Sequence, residues 1–80
     1  MTTEIRIQAQ EARRLKNDTA FKQFVQDVRD LQVRIFTNSA AQDIESREEA
    51  HAVLRALTQI EMQLDAAIGA ETMLDRKQRN

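Results

Sequence analysis

The 80-residue sequence predicts an all-α protein, and three observations predict it. There is no proline and a single glycine, Gly69, whereas a β-protein this small needs several tight turns built on glycine, proline and Asn-Gly pairs. Gln, Ala, Arg, Glu and Leu dominate, and these residues favour helix. Two long stretches repeat apolar residues at steps of three and four, the spacing of one helical face. The predicted architecture is an antiparallel helical hairpin, with an extra N-terminal helix as an option, that completes a bundle by oligomerisation. The chain is read as one helical domain, residues 1–80.

The first segment, 3–16, carries a thin apolar stripe of Ile5, Ala9, Ala12 and Leu15 in an otherwise charged sequence. Such a segment becomes helical when docked. "LKND" then offers a helix start, because Asn17 or Asp18 can accept from the first free N–H groups of a new helix. One long helix running through this point is the alternative, since Asn and Asp lower helix propensity by only tenths of a kcal/mol.

A helix is expected over 18–37. Phe21, Phe24, Val28, Leu31 and Ile35 step by three and four on one face. Asp18 with Lys22 and Asp30 with Arg34 have the favourable acid-first i,i+4 spacing. Adding Val25, Val33 and Phe36 widens the apolar arc to about 200° at 100° per residue, more than one partner helix covers. Gln32 falls inside that arc. "TNSAAQDIES" interrupts the pattern, so a turn is expected over 38–46, with Asn38, Asp43 and Ser46 as rival caps. Ser46 and Glu49 have capping-box spacing.

The next helix is expected over 47–68. Ala50, Val53, Leu57, Ile60, Leu64 and Ala67 form its stripe, with Leu54 and Ile68 alongside. Gly69 is the expected C′ residue, because glycine takes the left-handed conformation freely. The polar tail 70–80 is expected to fray. Leu74 continues the stripe and argues the other way, for a helix that runs on past Gly69 at about 1 kcal/mol.

Composition excludes several classes of function. Twelve basic residues nearly balance 13 acidic ones, so no broad field of one sign would gather nucleic acid or an anionic membrane. No apolar run approaches the roughly 18 residues of a spanning helix, and the N-terminus has no signal-peptide core. With no cysteine there is no disulfide, thiolate metal site or cysteine nucleophile. Basic clusters at Arg13, Arg14 and Lys16, and at Arg76, Lys77 and Arg79, have acids nearby and no stacking aromatics, so specific nucleic-acid binding is not expected.

One pattern raises metal chemistry. Glu48 and His51 have the Glu-x-x-His spacing with which ferritin-like bundles hold iron. Relative to Ala50, however, both point away from the stripe, and such a site needs inward ligands. Acids at a helix start are favoured by the macrodipole without any metal. Histidine as a general base lacks a recognisable nucleophile or orienting acid. No catalytic, metal-binding or cofactor-binding residue is assigned, and no cofactor is expected.

The strings "LKNDTAFKQFVQDVRDLQVRIF" and "SREEAHAVLRALTQIEMQLDAAIG" resemble small uncharacterised helical proteins of tailed bacteriophages, over about residues 15–69. In those proteins a short Asn/Asp-Pro or Asp-x-x-Phe start leads one helix, and a "REEA" start leads a second with leucine heptads. Thr19 and Ala20 stand where that pattern often has proline. The resemblance implies a phage origin and no catalytic residues.

The expected function is a non-enzymatic protein–protein interaction module, a phage virion or assembly component that binds a larger phage protein. The alternative is a phage-encoded inhibitor that docks on a host protein, with a ferritin-like metal-binding module as a remote third. The expected core and self-association interface is Phe21, Phe24, Val28, Leu31, Ile35, Val53, Leu57, Ile60 and Leu64. A candidate partner surface is Val33, Phe36, Met62 and Met73. Expected partners are the chain itself, as a homodimer or higher oligomer, and a larger phage or host protein. The expected location is the host cytoplasm or the virion.

Overall fold

A computed structural model describes residues 1–79, and they form three helices: α1 (Thr2–Asn17), α2 (Thr19–Asn38) and α3 (Ile44–Arg79). No strand occurs among the described residues. α3, at 36 residues, has as many as α1 (16) and α2 (20) together. It packs along both, whereas α1 and α2 meet only at their junction. Contacts run in opposite order on the two sides: Arg6 meets Asp75, Lys16 meets Asp65, and Arg29 meets Glu61. α3 is therefore antiparallel to its neighbours. The result is a rod of 58 × 23 × 17 Å, one layer of helix thick.

α1 docks through Ala9 and Ala12, both buried, with Ile5 and Leu15 half-buried beside them. Alanine at the contact lets helix axes approach closely. Glu4 in the first turn and Arg14 and Lys16 in the last oppose the helix dipole favourably. The chain then breaks at Asp18, whose backbone is extended (φ −74°, ψ 118°). Its N–H donates to the Leu15 carbonyl at 3.1 Å, and its carboxylate accepts from the Phe21 N–H at 2.7 Å. One residue thus closes α1 and caps α2, so the single long helix does not form. The expected Asp18–Lys22 and Asp30–Arg34 pairs are absent among the described residues. The Asp18 carboxylate serves as the cap, and that of Asp30 accepts from Gln26 at 2.8 Å.

The turn is shorter than the expected 38–46. α2 continues to Asn38 and α3 begins at Ile44, so Ser46 lies inside the first turn of α3 and no capping box forms. Asp43 occupies the position before the helix and accepts from the Ala40 N–H at 3.1 Å. Arg47 reaches back from α3 to the carbonyls of Ala40 and Ala41. Ser39 Oγ donates to the Phe36 carbonyl at 2.8 Å. The turn is held by these polar contacts and needs no glycine.

α3 also passes through Gly69 without ending there, against the expected 47–68 helix and fraying tail. Gly69 has no positive φ. The extension has a partner in α1: Glu71 pairs with Arg6 (3.5 Å) and Arg13 (2.6 Å), and Asp75 pairs with Arg6 (3.1 Å). Docking of the two segments holds both as helix. Asn80 lies outside the described residues.

Among the described residues Ala50 is the third buried apolar one, and no large side chain is fully buried. The accessible surface is 6391 Å². A compact monomer of this 9.2 kDa mass exposes about 4,900 Å². The excess, about 1,500 Å², is the measure of how open the layer is.

Two substitutions test this account. A Cβ at Gly69 would meet no atom within 4 Å. Gly69→Ala is expected to stabilise the protein by roughly 0.5–1 kcal/mol, read from urea denaturation. Destabilisation would show that the helix needs glycine there. Asp18→Ala is expected to cost about 1 kcal/mol in the same measurement, and to speed amide exchange in the first turn of α2 more than in α1, whose closing bond comes from the backbone N–H that alanine keeps. An unchanged midpoint would mean that the cap does not hold the junction.

Candidate functional site

The layer has two unlike sides, and the ion pairs identify them. Arg29 and Glu61 lie on one side, where they border an open groove with Lys16, Asp65, Val25 and Met62. Lys16 pairs with Asp65 across the same groove. Arg6, Arg13, Glu71 and Asp75 continue the polar seam along α1. The Glu71 side chain is the most shielded of these, 13% exposed between two guanidinium groups.

The opposite side is apolar. On α2, Phe24, Val28, Leu31 and Ile35 lie about 100–160° round the helix from Arg29, at 100° per residue. On α3, Ile60 and Val53 lie about 80–100° from Glu61 in the corresponding sense. All six therefore share the side away from the groove. Phe24 is 70% exposed, and Val28, Leu31, Ile35 and Ile60 are exposed as well. The strongest stripe in the sequence is turned to this flank. The line of α2 that meets α3 runs instead through Phe21, Val25, Arg29 and Gln32, all half-buried.

Of the nine residues expected in a core, Phe21, Val53, Leu57 and Leu64 are half-buried between α2 and α3. The other five are exposed. Val33, Phe36, Met62 and Met73 are exposed too, but do not make one patch: Met62 lines the groove on α3, and Phe36 stands at the turn. Glu61 is half exposed and occupied by Arg29. The role of Arg29 was missed in the sequence. The same 100° count places it inside the apolar arc of α2, beside Val25, and that position is the signal that it packs at the contact.

Glu48 and His51 face solvent. His51 borders a shallow dent with Leu54, Arg55, Thr58, Gln59 and Met62, none of which is an acid. Among the described residues, no three His, Cys, Asp or Glu side chains lie together as metal ligands would. No helix among them is long and apolar enough to cross a membrane. No family model matches the chain, and no curated protein or solved structure matches it.

His51 makes no hydrogen bond or ion pair, so His51→Ala is expected to leave the unfolding free energy within about 0.5 kcal/mol. The check is urea denaturation with and without added Zn²⁺ or Fe²⁺. A larger loss, or a metal-dependent gain that the variant abolishes, would restore a ligand role.

Proposed function

We propose that the chain is a non-enzymatic helical interaction module, a hairpin whose apolar side completes a bundle through oligomerisation. It serves as a virion or assembly component that binds a larger phage protein. The observation that carries the reading is the flank of Phe24, Val28, Leu31, Ile35 and Ile60, left exposed in a chain with no large buried side chain. Contiguous exposed apolar surface beyond a few hundred Å² is the mark of an interaction site. A chain this small, without disulfide or metal, also needs a further source of stability, and association is the usual one.

The phage assignment rests on the resemblance of the "LKND" and "SREEA" segments and their heptads. Host cytoplasm or virion is the location it implies. The reading calls for no cofactor: the dent beside His51 is lined by no acid, and the Thr58 hydroxyl there donates to the Leu54 carbonyl.

The test is quantitative mass spectrometry of purified tailed-phage particles whose genome carries this sequence. A fixed copy number per particle is expected. Absence from particles, with the protein found on a host protein in infected cells, would replace the assembly role by the inhibitor reading.

A further inference from the structure

We infer that the apolar flank is covered by a second copy of this chain, related by a two-fold axis that crosses α2 between Val28 and Leu31. The two turn-proximal halves overlap antiparallel, and the α1 ends project in opposite directions. The inference rests on the reading above that this flank is a docking surface, and adds its occupant and register.

Three observations select the occupant. The first is area. The face is two helices wide, about 20 Å, and about 30 Å long over the 20 residues of α2. That is about 600 Å² before surface relief, close to the roughly 800 Å² each partner gives to a standard stable interface. The surplus surface of the isolated chain, about 1,500 Å², covers that need. The second is charge. The ion pairs that tie α3 to α1 and α2 stand on the other side, where they compensate one another. The α2 stripe of Phe24, Val28, Leu31 and Ile35 presents neither sign to attract a charged partner, with the exposed Glu49 of α3 on the same side near the turn, and the stripe is complementary to itself. An interface of like surfaces on both partners is what a two-fold axis requires.

The third observation fixes the register. Along α1, the side continuous with the flank carries Glu4, Gln8 and Glu11, all exposed. Stacking two rods over their full length would bury Glu4, Gln8 and the Glu11–Arg14 ion pair against the partner. Overlapping only the α2 halves buries Phe24, Val28, Leu31, Ile35 and Ile60 and leaves the acids in water. Taking a carboxylate out of water is costly even when it is paired, as Glu11 is with Arg14, so the half-length overlap wins.

The antiparallel axis sets distances that a cross-link can read. Residue 28 and its symmetry mate lie about 5 Å apart along the axis, and residue 24 and its mate about 17 Å apart. The chain has no cysteine, so single substitutions place unique thiols.

The experiment combines light scattering behind size exclusion with cross-linking by a short bismaleimide. The wild-type chain is expected at twice 9.2 kDa across the micromolar range. Phe24→Glu with Leu31→Glu should halve the mass. Both side chains are exposed in the single chain, at 70% and 45%, so neither is enclosed by the chain's own helices. Met62→Glu, on the groove side, should remain dimeric. Val28→Cys should cross-link to itself. Phe24→Cys should not, but should do so when mixed with Ile35→Cys. A monomeric wild type at high micromolar concentration overturns the inference. So does a dimer that Met62→Glu breaks, or one in which Phe24→Cys cross-links to itself and Val28→Cys does not. If the double variant unfolds, the wild-type mass and the cysteine pairs still decide. A dimer absent from phage particles keeps this pairing and removes the assembly role, whereas a monomer present in particles does the reverse.

Discussion

Two helices touch along a line, and α3 touches first α2 and then α1. That geometry limits the whole structure. A side chain on the line is shielded from two directions at most, and one on the flank from a single direction. Only a third helix, laid over the groove between two, closes a core. This chain has no third helix at any level of the rod. Its buried residues are accordingly alanines, Ala9, Ala12 and Ala50, which are small enough to vanish between two backbones. Phenylalanine, leucine and isoleucine cannot be enclosed, however well they are spaced.

Given that limit, the two flanks divide by chemistry. On one, long basic side chains from α1 and α2 arch over the contact to acids on α3. Their aliphatic stems cover apolar surface while their charged ends stay wet. Each such pair contributes little alone, because nearly all of them are substantially exposed and screened. Their value is positional: Arg29 to Glu61, Lys16 to Asp65 and Arg13 to Glu71 set how far α3 slides along its neighbours. On the other flank nothing arches over, and Phe24, Leu31 and Ile60 are left bare. Arg29 and Gln32 help decide which flank is which. By occupying the line of contact, they turn the richer stripe of α2 aside.

Much of this was legible in the sequence. Helical class follows from the missing proline and scarce glycine, and the stripes placed α1 and α2 to within a residue or two. The ends of α3 were not legible, for two physical reasons. Ser46 and Glu49 have the right spacing for a capping box, but Arg47 pulls the start of the helix back to Ile44 by holding the Ala40 and Ala41 carbonyls. Gly69 is an inexpensive place to stop a helix, yet contacts with α1, 58 or more residues earlier in the chain, outweigh a local preference of about 1 kcal/mol. Periodicity shows which residues share a face. It does not show which part of a 200° arc meets the neighbour, and the exposed flank follows from that choice.

The break at Asp18 answers a problem of phase. Ala12 and Phe21 both face α3, and they are nine residues apart. In an unbroken helix nine residues turn through 900°, which leaves the two side chains about 180° out of register. A continuous helix would dock one stripe and point the other at solvent. The single extended residue restores the phase, so that the alanine stripe of α1 and the Phe21–Val25 line of α2 both meet α3. Aspartate suits the position because its carboxylate satisfies the N–H group that the interruption frees. The same half-turn decides what lies beyond the apolar flank of α2. After the reset, the side of α1 continuous with that flank is the polar one, with Glu4, Gln8 and Glu11. One extended residue in the backbone therefore aligns two helices on a third and confines the exposed apolar surface to half of the rod. In the two-fold pairing proposed above, a surface confined in that way would match a second copy over half its length and would end assembly at a closed pair instead of a stack.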